Sequence, residues 1–317
     1  MKGIIPNYMN LLNGTRKDTK LMHGWVIYNG HLKGTKFLEF AEWIKDAGLR
    51  QHVGIEIIKN NQLFSIVSRD GNDLIDQAKR KRPDFVIFSD KDIALARQLE
   101  QLHIPVFNSA QAIDNSDNKI TTYQLLAKKK LPIPTTIIAP KIFPGTKELD
   151  KESFSSIESV LSYPVVIKEA YGSFGEQVYL IHNRKELFAK INEISGRPFV
   201  FQQYISTSYG KDVRLNVVGD KVVAAMLRTS ENDFRANVHV GSSTTSYEPS
   251  EREKELAINA TQAVGAKFAG VDLLFGEDNE PIICEVNSNA HIRGTYEATG
   301  VNVADYIVRY VVDQIKP

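Results

Sequence analysis

Asp272, Glu285 and Asn287 carry the clearest chemical signal in the sequence. Apolar runs at 268–275 and 282–286 flank the polar turn 276–280, a pattern that predicts a β-hairpin. Counting outward from a centre between Asp278 and Asn279 sets Asp272 opposite Glu285. Side chains alternate along a strand, so Glu285 and Asn287 share that face. Two carboxylates and an amide oxygen then converge on otherwise apolar strands. Facing carboxylates repel and shift protonation unless a cation lies between them. Hard oxygen ligands of this kind suit Mg²⁺, which keeps waters and also binds substrate phosphates. An exposed acidic face balanced by nearby lysines is the competing reading. Cys284 is expected to face away from Glu285, as a core residue rather than a nucleophile.

Two further clusters could handle an anion. The loop 171–176 joins two strands and contains Gly172, Ser173, Phe174 and Gly175; paired glycines let backbone N–H groups approach a phosphate closely. Its spacing matches neither the P-loop nor the dinucleotide-binding pattern, and an ordinary hairpin turn explains the same residues. Lys168 ends the apolar strand just before it. Beside a glycine loop and a metal site it suits a phosphate; otherwise it reads as a snorkelling surface lysine. Residues 228–243 form a polar stretch read as a loop, in which Arg228, Arg235 and Asn237 suit an anionic substrate or a transferring phosphate, with a solvated loop as the alternative. His239 and His291 lie near the site but have no zinc-ligand spacing. Basic runs at 79–82 and 128–130 follow helices, where they complement the helix dipole, and they lack the interleaved aromatics of a nucleic-acid surface. No nucleophile-elbow motif is present.

The elements that must position these groups fall into three parts. The first third alternates strands (25–28, 55–58, 83–88, 104–107) with helices (37–47, a short one at 74–79, and 93–102), which predicts an open parallel sheet flanked by helices. Residues 114–117 break that pattern, and helix 119–130 follows. Strands are expected at 135–139, 163–168 and 177–181, with helices at 153–162 and 184–194. The last third pairs its strands: 213–218 with 222–227 across Gly219–Asp220, then 268–275 with 282–286. Helices 251–264 and 303–315 accompany them.

Composition narrows the class. At 317 residues the chain is too long for one simple core, given about 100–200 residues per domain. It is 42% hydrophobic and 24% charged, which excludes a disordered chain. Its 39 basic and 38 acidic residues leave a net charge of +1, so no global attraction to nucleic acid or membrane follows. Cys284 is the single cysteine, which points to a reducing, cytoplasmic setting without disulfides. Residues 1–20 carry no apolar run of signal-peptide length, and no stretch approaches the ~20 apolar residues of a membrane span.

Taken in order, these stretches resemble the ATP-grasp superfamily and, within it, the RimK-type glutamate ligases. The resemblance runs from Asn118-Lys119 through Tyr123-Gln124-Leu125-Leu126-Ala127, Val165-Val166-Ile167-Lys168 and the glycine loop. It continues through Gln202-Gln203-Tyr204-Ile205, Asp212-Val213-Arg214, Asp233-Phe234-Arg235-Ala236-Asn237, Gly270-Val271-Asp272-Leu273-Leu274 and Glu285-Val286-Asn287-Ser288, and covers about two-thirds of the chain. It implies an α/β and α+β architecture: an N-terminal open α/β domain (1–115), a central ATP-grasp subdomain with the glycine loop (116–195), and a C-terminal subdomain with the Mg²⁺ site (196–317). It implies that ATP, with Mg²⁺ or Mn²⁺, lies between the last two. Lys168, Gly172, Ser173 and Gly175 would meet phosphate, Gln203 and Tyr204 the adenine, Asp212 the ribose, and Arg235, Ala236 and Asn237 the nucleotide. Asp272, Glu285 and Asn287 match the metal ligands, and Arg228 matches an arginine near the reacting phosphate. The implied reaction joins a carboxylate to an amine, such as that of an amino acid, through an acyl phosphate. No membrane or nucleic-acid partner is implied, and a homo-oligomer stays open. Two departures are visible: Gln203 stands where the family often has glutamate, and residues 287–292 lack the proline and glycine of the family's Asn-x-Ser-Pro-Gly ending. The second departure motivates the other class of function, an ATP-binding regulatory or scaffold protein.

Overall fold

The structure, a computed structural model, describes residues 22–146, 150, 152–173, 175–236 and 242–316. Residues 1–20, Phe174, Asn237 and His239, all considered above, lie outside the described residues.

Strand β1 (His23–Tyr28) buries Trp25, Val26 and Ile27 completely, so it needs cover on both faces. It pairs in parallel with β2 (Gly54–Lys59), after helix α1 (Lys36–Arg50). Next come a hairpin of β3 (Leu63–Ser68) and β4 (Gly71–Asp76), then β5 (Phe85–Ser89), α2 (Ile93–Gln101) and β6 (Val106–Phe107). The parallel order is β2-β1-β5-β6. The helix expected at 74–79 is instead strand β4. Leu74 alternates inward while Ile75 stays exposed, and pairing with β3 outweighs the weak helical pattern. Residues 114–117, read as a break, finish helix α3 (Ala110–Asp117), whose first turn is capped by Ser109.

Asn118 then caps helix α4 (Lys119–Lys128). The central lobe follows: β7 (Thr136–Ile138), α5 (Ser155–Val160), β8 (Val165–Glu169), β9 (Val178–Ile181), α6 (Arg184–Glu193) and β10 (Phe199–Gln203). Its antiparallel order, β7-β10-β8-β9, takes its second strand from beyond residue 195. Phe154, Ile167, Phe199 and Phe201 anchor a core of its own.

The C-terminal sheet contains β11 (Lys211–Val218), β12 (Lys221–Thr229), β13 (Ser243–Ser246), β14 (Phe268–Phe275) and β15 (Pro281–Asn287), ordered β13-β12-β11-β14-β15 and antiparallel. Helix α7 (Glu251–Ala263) opens with a Ser250–Glu253 capping box. The last helices are α8 (Arg293–Thr299), which the sequence reading did not include, and α9 (Val303–Ile315). Here α9 shares one core with the N-terminal domain: Phe40, Ile44 and Phe85 pack in the same cluster as Phe268, Ile307 and Val311. Asn108, fully buried, clamps the joint. Its amide donates to the carbonyls of Phe268 (2.9 Å) and Ser288 (3.1 Å), and its oxygen accepts from Lys267 N (2.6 Å).

Candidate active site

Strand β14 sets Asp272 directly against Glu285 on β15, but the route differs from simple counting. Near the turn, Phe275 faces Pro281 and Leu273 faces Ile283, which centres the turn on Asp278. A bulge at Cys284 then adds one residue to β15 and restores the Asp272–Glu285 pair. The bulge also corrects the orientation expected for Cys284. Its side chain lines the same cleft as Glu285, with Sγ 3.6 Å from Lys168 Nζ. Burial pushes its thiol pKa up, so it stays a neutral, inert thiol.

The charge between the facing carboxylates comes largely from arginine. Arg214 on β11 forks onto Asp272 with both contacts at 2.7 Å, and Arg228 on β12 forks onto Asp212 with both at 2.6 Å. Arg228 also reaches Asp272 at 2.9 Å, while Lys119 Nζ lies 3.6 Å from Glu285. Strand register builds this array, since Arg214 is opposite Asp272 and Arg228 opposite Asp212. Arg228 therefore sits buried on a strand, not on the polar loop where the sequence reading put it. Burial alone would raise the Asp272 pKa, but the two guanidinium groups outweigh it and hold the carboxyl below its usual range.

Lys168 is buried, not snorkelling. Its ammonium donates to the Tyr123 hydroxyl at 3.0 Å, and that hydroxyl donates to the Cys284 carbonyl at 2.7 Å. The glycine loop folds toward it and is held by three cations. Lys119 donates to the Gly172 carbonyl (3.3 Å), Lys91 to Ser173 Oγ (3.1 Å), and Arg235 to the Gly175 carbonyl. Gly175 has φ of 75°, the left-handed conformation that favours glycine.

Lys168, Gly172, Ser173, Gly175, Gln203, Tyr204, Asp212, Arg235 and Ala236 all line one narrow cleft between the central and C-terminal sheets, joined by Asp272 and Glu285. Arg228 and Asn287 line a second, larger cavity of about 740 Å³ against the N-terminal domain. The two spaces share Gly172, Ser173, Gln177 and Glu285 as a common wall. Sequence reasoning passed over Lys119 and Arg214 as site residues. Lys119 was legible only as a helix start, whereas Arg214 stands two residues after Asp212, the spacing that puts both on one strand face.

Asp272, Glu285 and Asn287 are oxygen donors of the kind a hard divalent ion takes, with both Asp272 oxygens held by Arg214 and Arg228 in this structure. Among the described residues no group of three or more His, Cys, Asp or Glu side chains is placed to hold a metal ion by itself. Two carboxylates and an amide leave room for phosphate and water ligands, as Mg²⁺ requires. The Asn287 Nδ2 is buried with no hydrogen-bond partner among the described residues.

A narrow cleft between two antiparallel α+β lobes, lined by a glycine loop and backed by an open α/β domain, is the arrangement of an ATP-grasp fold. The RimK-like ATP-grasp domain model matches residues 116–311, and the chain belongs to that family of ATP-dependent ligases. It is 36% identical over 226 residues to a probable alpha-L-glutamate ligase of Rhodopirellula baltica, covering 70% of this chain and only about half (53%) of that relative's length. A probable alpha-L-glutamate ligase of Legionella pneumophila is 32% identical over 227 residues, 71% of this chain and 72% of its own. Among solved structures, the ATP-grasp ligase PsnB with a minimal precursor superposes with a TM-score of 0.70 at 19% identity, over 92% of this chain and 99% of that one. The D-alanine–D-alanine ligase of Bacillus anthracis with ATP gives 0.69 at 16%, over 93% and 97%. Among the described residues no helix is long and apolar enough to cross a membrane.

Proposed function

We propose that this ligase joins the amine of an amino acid, such as glutamate, to a carboxylate on a peptide, protein or small molecule. The γ-phosphoryl group of ATP passes to a carboxylate oxygen; the amine nitrogen then attacks the acyl carbon, phosphate leaves, and the amine loses a proton. The observation that carries this reading is the shared wall between the nucleotide cleft and the larger cavity, with buried Arg228 beside it. A phosphoryl group on one side of that wall would face a carboxylate on the other. The relatives named as glutamate ligases support glutamate as the amine.

Lys168, Lys119 and the amides of the glycine loop would bind the triphosphate, with Gln203 and Tyr204 at the adenine and Asp212 at the ribose. Arg235 and Ala236 flank the nucleotide, and Asn237 continues that stretch. Arg228 stabilises charge on the transferring phosphoryl group. Asp272, Glu285 and Asn287 would hold Mg²⁺, which neutralises phosphate charge when bound. No protein nucleophile is needed, in keeping with the neutral, buried Cys284. An acyl phosphate is destroyed by water, so the glycine loop has a chemical purpose as a cover.

The test is ADP release by the full chain, with amino acids and peptides supplied singly and in pairs. Release that requires both a carboxylate and an amine supports the ligase reading. Release indifferent to either would favour the regulatory alternative.

A further inference from the structure

The larger cavity receives one wall from the ends of the parallel strands β1 and β5, where ligands of open α/β sheets gather. Tyr28 pairs with Ser89, so the next residues, Asn29 and Asp90, emerge side by side. The Asp90 side chain is only 7% exposed. Its two oxygens accept from Asn29 Nδ2 at 3.2 Å each, and Oδ1 also accepts from the Lys91 backbone N–H at 2.7 Å. All of these donors are neutral.

The cavity's other carboxylates are paired or exposed. Arg293 binds Glu39 and Glu297, Lys91 binds Asp117, and Lys119 lies near Glu285. Among the described residues, Asp90 alone in that cavity combines burial with the lack of a lysine or arginine partner. Burial pushes its pKa up, Asp92 adds to that, and the bonds from Lys91 and Asn29 and the nearby His31 pull it down. A buried charge held by neutral donors destabilises a fold unless something cationic meets it. Asparagine at this position would keep the backbone bond without that cost, so cross-strand clamping does not explain the carboxylate.

We propose that Asp90 binds the ammonium group of the amine substrate, which must give up one proton to solvent before its nitrogen attacks and a second as the amide forms; this makes Asp90 a specificity residue selecting a charged amino compound over an acylated one. This rests on the ligase reading above. An ammonium is compact and carries three donors, so it can use the acceptor capacity that Asn29 and Lys91 leave on the carboxylate.

The experiment measures ADP release by the full chain with each standard amino acid, L-glutamate first, beside a saturating peptide carboxylate, for wild type, Asp90→Asn and Asn29→Ala. Asp90→Asn should raise the KM of the active amino acid roughly 10- to 150-fold, the loss of one charge-assisted hydrogen bond. The KM for ATP should stay within about twofold, and Tm should be unchanged or higher because a buried charge is gone. Asn29→Ala keeps the charge and should raise that KM less. An active wild type with an Asp90→Asn KM within about twofold overturns the role of Asp90 and leaves the ligase reading standing. So does a lowered Tm with equal losses for ATP and amine, which would mark Asp90 as a structural clip. A wild type that releases ADP with no amino acid overturns the amino-acid amine itself, and Asp90's role with it.

Discussion

Replacing Lys168 with methionine isolates one charge at the centre of the nucleotide cleft. Methionine matches the length of the lysine stem, so packing against Tyr123 and Cys284 is largely kept. Lys168 is 7% exposed and has no carboxylate within ion-pair distance among the described residues, so the fold loses little with it. Stability should change by less than ~1 kcal/mol, in either direction, because the desolvation cost of the buried ammonium offsets the Tyr123 hydrogen bond that goes with it. If Lys168 contacts phosphate as proposed, the nucleotide should lose a charge-assisted hydrogen bond, about 1.5–3 kcal/mol, or roughly 10- to 150-fold in Kd. Adenosine, which lacks phosphate, should bind wild type and variant alike. Calorimetry with a non-hydrolysable ATP analogue and with adenosine separates the two effects. Equal losses for both ligands would refute the phosphate contact and make Lys168 a structural residue of the Tyr123–Cys284 pocket.

Asn287→Ala removes an oxygen donor without changing charge, so turnover should collapse at limiting Mg²⁺ while Tm holds; near-normal turnover in a Mg²⁺ titration would remove Asn287 from the ligand set. Gly175→Val forces a β-branched residue into the left-handed region, at a cost of roughly 1–2 kcal/mol, and displaces the carbonyl that Arg235 holds. Amide formation should then slow more than ATP binding weakens, and hydrogen exchange of residues 171–176 should drop on adding an ATP analogue to wild type. Identical exchange with and without the analogue would mean a rigid hairpin turn.

How much of this was legible in the sequence depended on distance along the chain. Asp272 and Glu285 lie on one hairpin, so local counting brought them together, although it succeeded only because the bulge at Cys284 cancelled a one-residue error in the register. The same bulge hid the true orientation of Cys284, since strict alternation cannot express an inserted residue. The hairpin β3–β4 was missed because its inward face is nearly reduced to Leu63 and Leu74, with Phe64, Val67 and Ile75 left exposed. Arg228 and Arg214 were visible as residues, but their forks onto Asp212 and Asp272 depend on three strands meeting in one register. Asp90 gave no signal at all: its neighbour in the cavity, Asn29, is 61 residues away, and only parallel pairing joins them.

The shared core between α9 and the N-terminal domain divides the molecule unequally. Asn108, the Arg50–Asp305 pair at 2.7 Å and the common apolar cluster weld the first and last thirds of the chain into one anvil. The central lobe keeps its own core, and the chain passes into and out of it beside β7 and β10, where Gln203 N meets the Thr135 carbonyl at 2.8 Å. Those two crossings lie side by side, so the lobe is tied to the rest of the chain at one edge. The wall carrying Asp90 and the strands carrying Arg214 and Arg228 belong to the anvil. If the lobe lifts to exchange nucleotide, the proposed amine seat at Asp90 and the arginine array would keep their mutual geometry, so the two substrates could be loaded in separate events without rebuilding either site.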